Sequence, residues 1–248
     1  MQRSLPVTQT VILAAGYGLR LGSVESGVPK PLMLVGGLPL IAHALEHARA
    51  SGCTRAVIVI GHQGDRVQAS VEEMSPDLDL CFVENPDVAA PNGLSLLAAE
   101  SAVAEHFYLQ MVDHVFAGVA LPRLAAVPFG LGEAGRVLID RAPGGEIDLA
   151  DATKVRLEGR QVTAIGKGIE QWDAIDAGCF MLTPAVFDAL RRVPSDEPLT
   201  VSSGMRQLVA SGSLGAASVD GVDWVDVDTP ADRSIAERLF LTSMARTP

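Results

Sequence analysis

Thr10-Val11-Ile12-Leu13-Ala14-Ala15-Gly16-Tyr17-Gly18-Leu19-Arg20-Leu21 passes from an apolar, β-branched run into a glycine turn. A short apolar run of this kind reads as a strand buried on both faces. Gly16 and Gly18 let backbone N–H groups approach an anion closely. Arg20 and Lys30 add positive charge beside them. A Gly-x-Gly alone is weak evidence, because dinucleotide-binding turns begin the same way. Here Leu21 stands where that fingerprint needs its third glycine, and the loop runs on to Lys30-Pro31-Leu32 without opening a helix at once. The Walker pattern is absent too. An ordinary glycine turn with two surface cations fits the same residues.

Beyond this strand, apolar runs of strand length alternate with stretches of helical length. Pro39–Ala50 has helical spacing, with Pro at its start and Gly52 after it. Arg55–Ile60 is a strand closed by Gly61, Val67–Met74 a short helix and Leu78–Val83 a strand. Leu94–Ala104 is a helix after Pro91-Asn92-Gly93, and Phe107–Val112 a strand ending in Asp113. This order predicts a Rossmann-like α/β fold: a mixed, mostly parallel sheet with helices on both faces. Ligands of such sheets sit at the carboxyl ends of the strands. Ala15–Lys30 and Asp113-His114 lie there.

The second half predicts a small antiparallel extension. Arg136–Asp140, Thr153–Leu157, Gln161–Ile165 and Ala174–Leu182 read as short strands, with turns at Gly144-Gly145 and Glu158-Gly159. Helices over 184–192 and 201–210 follow, then a strand over 224–227. A last helix runs from Pro230 to about Ala245, its start marked by Asp228-Thr229-Pro230. No repeat or low-complexity linker divides the chain, so one α/β domain over 1–248 is expected.

Composition narrows the function. Of the 248 residues 48% are apolar and 20% charged, which excludes a mainly disordered or collagen-like chain and a disulfide miniprotein. Aromatics are 4%, so the core is mostly aliphatic. A net charge of -11 argues against a nucleic-acid partner, which asks for a basic face. A small anionic substrate needs only local cations. The only lysines are Lys30, Lys154 and Lys167, against 16 arginines. Cys53, Cys81 and Cys179 lack metal-ligand spacing. No apolar run reaches transmembrane length, and the run after Arg3 is too short for a signal-peptide core. A cytoplasmic protein with no membrane insertion is expected.

Leu13-Ala14-Ala15-Gly16-x-Gly18-x-Arg20-Leu21 followed by Pro29-Lys30-Pro31-Leu32 resembles the signature of nucleotidyltransferases that activate sugar and polyol phosphates. The resemblance runs along nearly the whole chain. Asp113-His114-Val115, Asp151-Ala152-Thr153-Lys154-Val155-Arg156, Ile165-Gly166-Lys167 and Trp224-Val225-Asp226-Val227-Asp228-Thr229 together look most like CTP:inositol-1-phosphate cytidylyltransferases. One departure is Val112, where the family usually has Gly before its metal-binding Asp.

The resemblance implies a GT-A-like fold, with a nucleotide-binding half over about 1–130 and an acceptor-binding half over about 131–248. It implies transfer of a cytidylyl group from CTP to inositol 1-phosphate, with Mg²⁺ as cofactor. Leu13, Ala14, Ala15, Gly16, Gly18, Arg20, Lys30, Asn92, Gly93 and Ser95 would bind the nucleotide, with Glu84-Asn85-Pro86 closing on the base. Asp140, Asp151, Lys154, Lys167, Asp176 and Gly178 would serve the acceptor. The catalytic set would be Arg20, Lys30, Asp113 and Lys167. Many family members carry a membrane-embedded transferase behind this domain; with the sequence ending at Pro248, that partner is expected as a separate protein. Apolar edges in the second half would suit a homodimer.

The chemistry supports the same residues. An acceptor phosphate attacks the α-phosphorus of a nucleoside triphosphate, and pyrophosphate leaves. That phosphate is already charged near neutrality, its second pKa being about 6, so no general base is required. The protein must bring two polyanions together and neutralise them, with hard carboxylates for a divalent cation and several fixed cations. Asp113 at a strand end suits the cation. Asp226 and Asp228, two apart, point to one side and either could be the second ligand; Asp228 could also cap the last helix. Asp140, Asp151 and Asp176 could take acceptor hydroxyls or be solvated surface carboxylates. His43 and His47, four apart on a helix, read as a partly exposed face more than a metal pair. His62 could border the nucleotide, and His114 could order the metal site or merely pack. Trp172 and Trp224 read as core. Other readings are the same transfer to a sugar 1-phosphate, another cyclitol phosphate, phosphocholine or an alkylphosphonate, and a non-catalytic nucleotide-binding homologue. A dehydrogenase is disfavoured by the broken fingerprint.

Overall fold

Strand β1 (Gln9–Leu13) has its last four residues buried, with Val11 and Leu13 in one apolar cluster and Ile12 in another. Alternate side chains thus feed cores on both faces of the sheet. The computed structural model describes residues 7–103, 105–144 and 147–244. Arg3, Ala104, Gly145 and Ala245, which carried sequence expectations, lie outside the described residues.

After β1 come α1 (Ser23–Ser26), the short strands β2 (Leu34–Val35) and β3 (Leu38–Pro39), α2 (Leu40–Ala50), β4 (Arg55–Ile60), α3 (Gly64–Met74), β5 (Asp79–Glu84) and α4 (Gly93–Ala98). Then follow β6 (Phe107–Met111), β7 (His114–Phe116), α5 (Pro122–Ala125), β8 (Gly135–Asp140), β9 (Lys154–Glu158), β10 (Gln161–Gly166) and β11 (Ala174–Leu182). The chain ends with α6 (Ala185–Arg191), α7 (Val201–Ala210), β12 (Leu214–Ser218), β13 (Trp224–Asp226) and α8 (Pro230–Met244).

Nine strands form one sheet in the order β5-β4-β1-β6-β11-β8-β12-β10-β9. The β5-β4-β1-β6 part is parallel, as the alternation of elements predicts. The second half is larger than the small extension expected. It supplies five of the nine strands, and β11 joins it directly to β6 in antiparallel register. Helices α4, α6 and α7 cover the face below Val11 and Leu13; α2, α3 and α8 cover the other. A third cluster around Tyr108, Leu138, Cys179 and Trp224 extends the core under the second half.

Three local expectations need correction. The helix over 94–104 stops at Ala98 and continues as a 3-10 turn over Glu100–Ala102. Strands β7 and β12 were not foreseen. Among the described residues, six of the eight large apolar side chains that stand exposed lie before residue 131, including Leu34 and Leu38. Among the described residues, the exposed large apolar side chains are therefore mostly in the first half, not the second. Cys53, Cys81 and Cys179 are free thiols. Among the described residues no helix is long and apolar enough to cross a membrane.

Candidate active site

The loop after β1 packs onto Lys30 because Gly18 has no side chain. Gly18 has φ +66°, and a Cβ there would lie 2.5 Å from Lys30 Cβ. Lys30 is 7% exposed. Its Nζ donates to Asp113 Oδ2 at 2.6 Å and to Asp228 Oδ1 at 2.7 Å. Burial alone would lower the Lys30 pKa; the two carboxylates outweigh it and hold the ammonium well above its usual range.

Asp113 reaches this point from β6. Val112 N–H donates to Leu13 O at 3.3 Å, so the chain stays beside β1 one residue past β6. The side chain of Val112 is 5% exposed and joins the aliphatic core, so a bulky residue is accommodated here. Strand β7 then pairs antiparallel with β13, setting His114 opposite Asp226. Val227 N–H donates to Asp113 O at 2.9 Å and locks that register.

The result is a cluster of Asp113, His114 and Asp226 whose ligand atoms lie within 4.8 Å of one another. His114 Nδ1 is 2.9 Å from Asp113 Oδ1 and 3.7 Å from Asp226 Oδ1. Asp226 Oδ1 is sealed from solvent and has no hydrogen-bond partner. Burial and the neighbouring carboxylates raise the Asp226 pKa to about 7 against the opposing pull of His114. For His114, burial is outweighed by Asp226 and Asp113, and its pKa rises to about 9. Burial would also raise Asp113, but Lys30 and His114 hold it well below the usual carboxylate range.

His114 is held by packing. A Cβ on Gly178 would lie 2.2 Å from its Cδ2. Trp224 stacks on the imidazole with ring centroids 5.5 Å apart, and Trp224 Nε1–H donates to Asp140 Oδ2 at 2.9 Å. Gly178 N–H donates to Asp176 Oδ1 at 2.8 Å. Burial raises Asp176 to about 6. Asp140, Asp176 and Gly178, expected to meet the acceptor, make these contacts around the imidazole and Trp224.

From the cluster a line of alternating charge runs on through Lys30, Asp228, Arg20 and Asp151 to Lys167. Arg20 Nη2 donates to Asp228 Oδ2 at 2.5 Å and Nη1 to Asp151 Oδ2 at 2.8 Å. Lys167 Nζ donates to Asp151 Oδ1. Asp226 and Asp228 therefore divide their roles: Asp226 faces Asp113 and His114, while Asp228 faces the two cations. Asp228 does not cap α8 with its side chain. Thr229 Oγ1 accepts from Asp232 N–H at 3.3 Å, and Asp232 Oδ2 accepts from Thr229 N–H at 2.7 Å.

A cleft of about 400 Å³ opens above this line. Leu13, Ala14, Ala15, Gly16, Gly18, Arg20, Lys30, Asn92 and Ser95 line it, with Asp113 and Asp228. Ala14 N–H is already donated to Val59 O at 2.9 Å. Gly93 does not line the cleft. Its N–H donates to Leu199 O at 3.0 Å, and a Cβ there would lie 2.5 Å from that oxygen. Asn85 also lines the cleft and donates from Nδ2 to Ser95 Oγ at 2.8 Å. Val88, Ala90 and Met111 also line it; they belong to no motif that sequence reading could use. Lys154 is 9% exposed at the start of β9.

The histidines separate. His43 Nε2–H donates to Val35 O at 2.9 Å. His47 is buried and not on an exposed helix face. Its Nε2 accepts Ala120 N–H at 3.0 Å, so the proton is on Nδ1, which donates to Gln110 Oε1 at 2.9 Å. The two histidines form no metal pair. His62 packs on Tyr17 with ring centroids 4.9 Å apart, beside the loop after β1. Trp172 is partly buried in the third cluster.

A parallel βαβ half, a glycine loop over a buried lysine and a carboxylate pair at the strand ends together define an α/β nucleotidyltransferase fold. The MobA-like NTP transferase domain matches residues 10–140, more than half of the chain, and the chain belongs to that family. A Rubrobacter xylanophilus protein named bifunctional IPC transferase and DIPP synthase is 36% identical over 93% of this chain and 51% of its own length. A Streptomyces rubellomurinus CMP-5'-(3-aminopropyl)phosphonate synthase is 30% identical over 96% of this chain and 39% of its own length. The chain thus spans about half, or less, of these relatives. The solved structure of the inositol-1-phosphate CTP transferase from T. maritima superposes with a TM-score of 0.86, at 25% identity, over 99% of this chain and 100% of that one.

Proposed function

We propose that this chain transfers the cytidylyl group of CTP to inositol 1-phosphate, giving CDP-inositol and pyrophosphate. The observation that carries the chemistry is the convergence of Lys30 on Asp113 and Asp228 at the floor of a cleft walled by the glycine loop. The choice of substrates rests on the relatives, whose names include IPC transferase and inositol-1-phosphate CTP transferase.

Residues 1–130 or so hold the nucleotide in this reading, and the rest hold the acceptor. Lys30 lies beside the α-phosphate and offsets charge gathering there. Arg20 grips the outer phosphates and stabilises the departing pyrophosphate. Lys167 and Lys154 hold the acceptor phosphate, which attacks the α-phosphorus in line; the P–O bond to pyrophosphate breaks as the new one forms. No side chain has to remove a proton. The partnerless Asp226 Oδ1 beside Asp113 is a hard-oxygen donor set that fits a divalent cation such as Mg²⁺. When bound by Asp113 and Asp226, that cation neutralises triphosphate charge. Three free thiols fit a reducing, cytoplasmic setting.

The test is pyrophosphate release with Mg²⁺ over a grid of nucleotides and acceptors. CTP, UTP, GTP, ATP and dTTP are each paired with inositol 1-phosphate, glucose 1-phosphate, phosphocholine and 2-aminoethylphosphonate. Release with CTP and inositol 1-phosphate is expected. Release confined to another pair would replace the substrates and keep the chemistry.

A further inference from the structure

Arg20 and Lys167 come from distant parts of the chain, one from the loop after β1 and the other from just past β10. Both close on one carboxylate. Arg20 Nη1 donates to Asp151 Oδ2 at 2.8 Å, and Lys167 Nζ donates to Oδ1. The second arm of the Arg20 fork is on Asp228. Two cations on the two oxygens of one anion is the arrangement a phosphate would also satisfy. All three partners are accessible: the side chains of Arg20, Asp151 and Lys167 are 59%, 39% and 60% exposed. Ion pairs so exposed are readily exchanged for another anion.

Asp151 is carried on a turn, not on a strand. Asp151 N–H and Ala152 N–H both donate to Asp148 O, at 3.2 and 3.0 Å. The carboxylate can swing away without disturbing β9. Both of its oxygens are engaged by the two cations.

Building on the transfer reading above, we propose that Asp151 is a built-in counter-ion: a positioning residue that holds Arg20 and Lys167 together and yields them to an incoming phosphate. Its removal should therefore strengthen phosphate binding, the opposite of what loss of a substrate ligand does. It also sets a threshold. A phosphorylated ligand brings enough charge to displace the carboxylate, and an unphosphorylated polyol does not.

The probe is inorganic pyrophosphate, titrated calorimetrically into the full chain at low salt and without metal, so the readout does not depend on turnover. Asp151→Asn is expected to bind it about two- to tenfold more tightly than the wild type, because each exposed pair given up is worth up to about fivefold. Adding Lys167→Met should erase most of that gain, since Asp151 acts through that lysine and Arg20. Asp151→Ser is the second variant should the first misfold, with the same tightening expected. Unchanged or weaker pyrophosphate binding by a folded Asp151 variant, or binding by neither protein, would overturn the proposal. Failure of every substrate pair to release pyrophosphate would remove the transfer reading and leave this titration standing.

Discussion

Gly18 and Lys30 lie so close that a methyl group on Gly18 would stand 2.5 Å from Lys30 Cβ. The φ of +66° at Gly18 disfavours any side chain for a second, independent reason. Gly18→Ala is expected to cost roughly 1–3 kcal/mol of stability. It should also push Lys30 from Asp113 and Asp228. The turnover number of the folded variant should fall at least about tenfold, more than the stability loss alone explains. Thermal unfolding and pyrophosphate release on the same sample check this; a folded variant with full turnover would show that Lys30 needs no such packing.

Lys30 stands between two carboxylates that a divalent cation would also attract. Lys30→Met leaves Asp113 and Asp228 without that partner, and breaking a buried pair is costly. The variant should melt well below the wild type, regain much of the loss on adding Mn²⁺, and bind Mn²⁺ more tightly without nucleotide. Its turnover should fall. Calorimetric Mn²⁺ titration reads the affinity directly, and weaker Mn²⁺ binding would contradict the exchange of ammonium for metal.

Asp226 gives the reverse pairing of effects. One of its oxygens is buried without a partner, and Asp113 and Asp228 repel its charge. Asp226→Asn should relieve that repulsion, raising metal-free stability by about 1 kcal/mol once solvent screening of its exposed part is allowed for. Metal binding should weaken by at least about tenfold. A variant that binds Mn²⁺ as the wild type does would remove Asp226 from the metal site.

The parallel half was legible because its signals are local. Val11, Ile12 and Leu13 read as a buried strand, and the Gly18–Lys30 loop stands where the strand order puts it. Strand β12 was not legible. Its Leu-Gly-Ala-Ala-Ser sequence lacks β-branched bulk, and a Cβ on Gly215 would lie 2.4 Å from Glu133 Oε1, part of the pair with Arg136. A tertiary contact set that residue, and no period reports it. Strand β7 is three residues long and exists through pairing with β13, so the choice of Asp226 over Asp228 beside Asp113 was hidden until that register was known. Asp140 and Gly178 show the same limit from the other side: their motifs were visible, but their contacts with Trp224 and His114 were not.

His47 makes stability depend on pH. Burial lowers its pKa from 6.5 to about 4, against the smaller raising pull of its hydrogen bond to Gln110. The unfolded chain takes up this proton as pH falls below about 6.5, while the folded chain resists until about 4. The stabilisation from His47 is therefore complete above that window and lost as pH falls through it. Relative to His47→Gln, wild-type stability should drop by on the order of 2–3 kcal/mol between pH 6.5 and 4. Urea unfolding of both proteins across this range checks it; parallel curves would mean that the ring titrates freely in the fold.

Phosphorus NMR of CTP and inositol 1-phosphate incubated with the chain and Mg²⁺ distinguishes transfer from every other use of the cleft. The expected spectrum gains the two coupled signals of a pyrophosphate diester together with an equal amount of free pyrophosphate. Both should be absent with Asp113→Asn. Orthophosphate with CDP, or CMP with pyrophosphate and untouched inositol 1-phosphate, would show hydrolysis instead and contradict attack by the acceptor phosphate.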